Sequence, residues 1–219
     1  MLVTGGTGYV GRRLVRALVR RDHRVRVLAR PESVASVADG AQPVIGNALD
    51  VRSFTAALRP GDTIVHLVGT PHPSPAKAAE FQRVDLPSIK AAIAAATTAA
   101  AAHLVYVSVA HPAPVMKAYV DARRAGEQAI ADARLTATVL RPWYVLGPGH
   151  WWPIVLLPMY GLAWATPSMR DGAQRLGLVT LRQMVDALVS AVEHPPAPRT
   201  TRVVEVPEIR RGLSASIAV

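Results

Sequence analysis

Leu2-Val3-Thr4-Gly5-Gly6-Thr7-Gly8-Tyr9-Val10-Gly11-Arg12 runs from a short apolar segment through a glycine-rich turn into a helical pattern, and this order decides the fold. Val10, Leu14, Ala17 and Leu18 share one face at helical spacing. A tight turn after a strand needs a residue tolerant of positive φ, which glycine supplies at no Cβ cost. Backbone N–H groups at a helix N-terminus, aided by the helix dipole, suit an anion such as a pyrophosphate. The third glycine of such a turn lets the helix pack close to the strand. A glycine triplet alone is weak evidence, but here a strand precedes it and a helix follows, as a dinucleotide site requires. Gly5, Thr7, Gly8, Tyr9, Val10, Gly11 and Arg12 are therefore the expected phosphate-binding residues.

Outward from the turn, strand-like and helix-like segments alternate. Val25 and Val27 alternate with Arg24 and Arg26, and residues 43–45, 63–68, 103–108, 137–140 and 202–206 have strand character. Residues 76–101 are Ala-rich and predict a long helix with a break near Pro87; residues 115–133 and 181–193 predict two more. Strands joined by helical crossovers predict an α/β fold: a Rossmann-type doubly wound parallel sheet with helices on both faces and a small C-terminal extension. The whole of 1–219 is expected to be one domain, with 143–180 a substrate lid or interface region. The tail from Pro207 is expected to find little to pack against. From the brevity of the first strand, a residue or two of natural start is expected to precede Met1.

Composition narrows the function. Half of the 219 residues are hydrophobic and 18% are charged, as in a folded globular chain. There is no cysteine, which excludes disulfides, thiolate catalysis and Cys-based metal sites. His66, His72, His103, His111, His150 and His194 have no metal-like spacing, so no metal is expected. No basic and apolar leader pattern opens the chain, and the apolar stretch 151–165 is interrupted by Pro153, Pro158 and Gly161, so a cytoplasmic protein is expected. The net charge is +10, with eight arginines from Arg12 to Arg30. This cluster is expected to form a solvated helix face plus a cofactor phosphate site, and no nucleic-acid partner is expected because no aromatics are interleaved for base stacking.

Cofactor choice turns on the end of the second strand. An NAD-preferring fold places an acid there for the ribose 2′-hydroxyl. This chain has Ala29-Arg30-Pro31 instead, and Arg30, with Arg12 on the other side, offers guanidinium groups for a 2′-phosphate. NADP(H) is favoured over NAD(H).

The segments 4–11, Gly46-Asn47-Ala48-Leu49-Asp50, Val65-His66-Leu67-Val68-Gly69, Val105-Tyr106-Val107-Ser108 and Leu140-Arg141-Pro142 together resemble the short-chain dehydrogenase/reductase superfamily. The resemblance is to its atypical and extended branches, including epimerase-like and complex I accessory-subunit-like members. It implies that Asn47 and Ala48 lie beside the adenine. It also implies that Leu67, Val68, Gly69 and Thr70 lie beside the ribose and nicotinamide, with Pro142 also at the cofactor. The family's Ser, Tyr and Lys correspond to Ser108, Tyr119 and Arg123. A spacing of four puts Tyr119 and Arg123 on one helix face. Ser108 would bond a substrate carbonyl and Tyr119 would give or take the proton. Arg123 departs from the family's lysine: a guanidinium supplies charge but is a poor member of a proton relay. Asp85 falls where relatives carry a structural asparagine and is expected to have no catalytic role.

All four tryptophans, Trp143, Trp151, Trp152 and Trp164, lie in one region beyond the last of these motifs. An apolar substrate pocket, a subunit interface in a homodimer and a membrane surface all fit them; the pocket is favoured and membrane contact is not expected. The leading expectation is an NADP(H)-dependent oxidoreductase acting on a small or apolar carbonyl or alcohol. The rivals are a non-catalytic dinucleotide sensor or scaffold, motivated by Arg123, and a nucleotide-sugar epimerase-like enzyme, disfavoured by the short C-terminal part.

Overall fold

A computed structural model of the chain describes residues 1–113, 115–149 and 176–212. His150, Trp151, Trp152 and Trp164, with most of the expected lid, lie outside the described residues.

Seven strands form one parallel sheet: β1 (Leu2–Thr4), β2 (Arg26–Ala29), β3 (Gln42–Ile45), β4 (Thr63–His66), β5 (His103–Val107), β6 (Ala137–Arg141) and β9 (Thr201–Glu205), in the order β3-β2-β1-β4-β5-β6-β9. Two short strands, β7 (Tyr144–Leu146) and β8 (Leu178–Thr180), pair in parallel beside it. Alternation along the strands covers both faces of the main sheet. Val3, Val27, Val65 and Val105 turn to one side, where α1 (Gly11–Val19) and α5 (Leu181–Glu193) supply Leu14, Leu18, Met184 and Leu188. Leu2, Leu28, Ile64, Leu104 and Tyr106 turn to the other, against α3 (Leu86–Thr98), whose Ala92, Ala95 and Ala96 keep that helix close. Burial on both faces is what a parallel sheet requires, and it explains the near-continuous apolar strands. α4 (Lys117–Asp132) packs beside α3, and Thr180 caps α5 through a reciprocal bond with Gln183.

Two expectations need correcting. The Ala-rich segment does not break at Pro87. A short α2 (Ala78–Glu80) leads through a π-helical turn, Phe81–Asp85, into α3, whose first turn carries Pro87, where its missing N–H is harmless. The tail also packs further than expected: α6 (Val206–Arg211) buries Val206 and Ile209, and Arg210 Nε donates to Leu178 O at 2.7 Å.

The strand order reverses between β1 and β4, and ligands of doubly wound sheets bind beyond the carboxyl ends at such a switch point. Thr4 stands opposite His66 in the ladder, so the turn after β1 and the loop after β4 leave the sheet side by side.

Candidate functional site

Gly5 has φ +73°, and a Cβ there would lie 2.8 Å from the Leu67 carbonyl carbon and 3.0 Å from Val68 N. The phosphate turn therefore rests on the backbone of the loop after β4, which brings the expected phosphate and nicotinamide-end residues together. Gly11 is buried against the same turn, with Gly5 O 2.2 Å from where its Cβ would stand. Gly8 is exposed, and its Cβ would meet only Gly5 O, at 3.2 Å. At the start of α1, Arg12 N–H donates to Gly8 O, no side chain caps the helix, and the N–H groups of Val10 and Gly11 find no acceptor among the described residues. Bare donors at a helix N-terminus beside a methyl-free turn fit the pyrophosphate of a dinucleotide. Tyr9 turns away along α1: Arg13 lies over its ring at 4.7 Å, and its Oη approaches Gly147.

Arg30 follows the last residue of β2 and is exposed, as a 2′-phosphate ligand must be. The sequence reading missed its neighbour: Glu32 Oε1 lies 3.1 Å from Arg30 Nη1. Both side chains are more than 60% exposed, so the pair is worth under about 1 kcal/mol and can open. Asn47 is exposed after β3, but its Oδ1 accepts Leu49 N–H at 3.0 Å, closing its own turn and leaving one lone pair for a ligand. Exposed Ile45 and Leu49 flank it as apolar surface, a feature that motif reading passes over. Ala48 is half-buried against the core, and Pro142 is buried after β6, accepting Ala110 N–H.

The three expected catalytic residues separate into two groups. Tyr119 and Arg123 do share a face of α4, with the guanidinium carbon 5.2 Å from the Tyr119 ring centre. Arg123 is buried, however, and both of its Nη atoms are engaged in a way its sequence position does not announce, while Nε has no hydrogen-bond partner among the described residues. Its Nη2 meets Asp85 Oδ1 at 2.7 Å, and its Nη1 donates to Val107 O at 3.0 Å and Val68 O at 3.4 Å. Burial opposes the charge, but the Tyr119 and Tyr106 phenols and the Asp85 carboxylate outweigh it, and the guanidinium holds its proton more firmly than usual. Arg123 thus acts as a clamp at the ends of β4 and β5. Asp85, expected to be without a catalytic role, is its partner.

Ser108 is buried one residue past β5, and its hydroxyl donates to Glu127 Oε1, two turns along α4 from Tyr119. Glu127 also takes Arg141 in a forked pair, Nε at 3.1 Å and Nη2 at 2.5 Å, and stands 3.4 Å from His111 Nε2; Arg141 reaches Glu205 at 2.8 Å. This network ties α4 to β5, β6 and β9 and occupies the Ser108 hydroxyl. Sequence gave no sign of it beyond the Leu-Arg-Pro motif.

His66 and His103 are buried and neutral. Burial and the charge of Arg123 push His66 down to about 3, and burial pushes His103 down to about 4. Thr4 and Ser88 bond the two nitrogens of His66, and Thr138 bonds His103. Among the described residues no three His, Asp or Glu side chains could hold a metal, and no helix is long and apolar enough to cross a membrane.

Comparison with known proteins agrees with this geometry. A family model described as NAD(P)H-binding matches residues 5–147. The ceramide reductase of Caulobacter vibrioides is 29% identical over 214 residues, covering 95% of this chain and 64% of that protein. The 4-hydroxy-2-methyl-3-oxo-4-farnesyl-3,4-dihydroquinoline-1-oxide ketoreductase of Stigmatella aurantiaca is 30% identical over 167 residues, 66% of this chain and 50% of that protein. The chain thus spans between half and two thirds of the length of these curated relatives. Among solved structures, an NAD-bound short-chain dehydrogenase/reductase superfamily protein from Agrobacterium tumefaciens superposes with a TM-score of 0.67 at 19% identity, covering 93% of this chain and 76% of that one. A UDP-galactose 4-epimerase gives 0.68 at 20%, with the same coverage. At such identities the structures establish the fold.

Proposed function

The chain belongs to the family described as NAD(P)H-binding, and from that premise we propose that it is an atypical member of the short-chain dehydrogenase/reductase superfamily, acting as an NADPH-dependent reductase of an apolar carbonyl compound. The observation that carries this reading is the glycine turn seated on the loop after β4, with bare N–H donors at the start of α1. Residues 7–11 would hold the pyrophosphate, Arg30 and Arg12 the 2′-phosphate, and Ile45, Asn47 and Leu49 the adenine edge and face. When bound, the dinucleotide supplies the hydride. Tyr119, half-buried against Phe81 with ring centres 5.0 Å apart, would give its proton to the carbonyl oxygen. Arg123 contributes a fixed positive charge behind that ring.

Support for an apolar substrate comes from the two relatives, named as reductases of a ceramide and of a farnesylated quinoline, and from the tryptophans beyond β6. Cytoplasmic location and a homodimer remain part of the reading.

The test is NADPH oxidation, followed by absorbance, on a panel of long-chain and aromatic ketones, with Tyr119→Phe alongside. Turnover that drops on the order of 10²-fold or more in the variant supports the assignment. Turnover unchanged by the substitution removes Tyr119 as the acid. A second reading, a dinucleotide sensor without turnover, is favoured by the engagement of Ser108 with Glu127 and of Arg123 with Asp85; NADPH binding without oxidation on any substrate would select it.

A further inference from the structure

The π-helical turn Phe81–Asp85 faces α4 at both of its ends. Phe81 packs on Tyr119, and four residues later Asp85 pairs with Arg123, itself four residues after Tyr119. Such turns insert one residue into a helix and often lie at functional sites. The Asp85 carboxylate is fully buried and divided between two tasks. Oδ1 takes the Arg123 guanidinium, while Oδ2 accepts the Thr70 backbone N–H at 3.0 Å and the Thr70 hydroxyl at 2.6 Å. Thr70 closes the loop 67–70 on which the phosphate turn rests. The space that the pair crosses exists only because residue 69 has no side chain: a Cβ on Gly69 would stand 2.0 Å from Arg123 Nη2 and 3.3 Å from Asp85 Oδ1.

We propose that Asp85 is the positioning residue of this site, locking Arg123 and the loop 67–70 into one unit, so that Arg123 serves as a fixed cation behind Tyr119 and takes no part in a proton relay. A buried guanidinium with no neutralising partner would be costly, and a lone buried carboxylate equally so; each residue makes the other tolerable. The guanidinium stays charged at any working pH and its Nη atoms are engaged, so the proton that Tyr119 gives is replaced from solvent at the half-exposed phenol. Gly69, expected to serve the cofactor directly, is on this account the passage for the Asp85–Arg123 bond.

The proposal rests on the reductase reading for its kinetic arm only. On the full chain, Asp85→Asn and Tyr119→Phe are measured singly and together, with circular dichroism to confirm folding. NADPH affinity is read by nicotinamide fluorescence, and kcat and KM on the best ketone. The expected result is a kcat loss on the order of 10²-fold for Asp85→Asn with ketone KM nearly unchanged, from misplacement of the acid. NADPH binding should weaken about tenfold as the loop 67–70 loses its anchor. In the Tyr119→Phe background, Asp85→Asn should add no further kcat loss, because the two residues act as a unit. Additive losses would overturn the positioning role. If Asp85→Asn does not fold, Gly69→Ala displaces the guanidinium while keeping both charges and must give the same pattern. If the wild-type protein oxidises NADPH on none of the ketones, the reductase reading fails alone, and wild-type NADPH affinity in a folded Asp85→Asn or Gly69→Ala variant then overturns the proposal.

Discussion

Gly8→Ala separates holding a phosphate from holding the fold. Gly8 is exposed and its φ is not positive, so alanine fits the backbone conformation. The added methyl meets only Gly5 O, at 3.2 Å, which needs a shift of a few tenths of an ångström. Reduced freedom of the unfolded chain stabilises by about 0.4–1 kcal/mol, so the net change in unfolding free energy should lie within about 1 kcal/mol of zero. The methyl otherwise projects into open space over the turn, where the pyrophosphate would come to the N–H groups of residues 9–11. Losing one or two charge-assisted hydrogen bonds, at about 1.5–3 kcal/mol each, weakens NADPH binding by roughly 10- to 10⁴-fold. Gly11→Ala is the contrast: its Cβ would stand 2.2 Å from Gly5 O and 2.7 Å from Gly6 Cα, backbone atoms that cannot step aside, so it should lose about 3 kcal/mol or more of stability. Urea unfolding and calorimetric titration of each variant with NADPH give the two quantities. A Gly8→Ala protein as stable as wild type that binds NADPH equally well would refute the assignment of the turn to the pyrophosphate.

Two further outcomes follow from the same geometry. Arg30→Ala should lower the preference for NADPH over NADH about tenfold or more, and Glu32→Gln should raise it, since it removes a carboxylate 3.1 Å from the phosphate ligand; a ratio of dissociation constants unmoved by either would exclude this pair from cofactor choice. Buried neutral His66 and His103 titrate far below the 6.5 of the unfolded chain, so the unfolded state binds more protons and stability, complete above about pH 6.5, falls as pH drops toward 4. At about 1.4 kcal/mol per pH unit for each group, unfolding free energy should fall by roughly 2–4 kcal/mol between pH 7.5 and 5, and a flat profile in urea titrations would contradict the neutral assignment.

The fold was legible because its signals are local. Glycines at 5, 8 and 11 follow an apolar strand, and β-rich runs return at the spacing of helical crossovers, so the parallel sheet follows from pattern alone. What escaped notice depends on distant partners. Asp85 and Arg123 are 38 positions apart, and only the π-helical turn brings one opposite the other. Likewise Glu127 gives no hint in sequence that Ser108, His111 and Arg141 will converge on it. Glu32 is not legible as a partner of Arg30 because it lies beyond the end of β2, and it is the short helical turn beginning at Pro31 that swings its carboxylate back to Arg30. The tail was underestimated because α6 is six residues long, too short for periodicity to stand out, yet it buries two of them.

Cofactor affinity is the most direct measure of this site. Titrating the purified chain with NADPH and NADH at one salt concentration, with nicotinamide fluorescence as the signal, should show both binding and NADPH binding tighter by tenfold or more, the worth of about one charge-assisted contact to the 2′-phosphate. Tighter binding of NADH would contradict the role given to Arg30, and no binding of either would contradict the site itself.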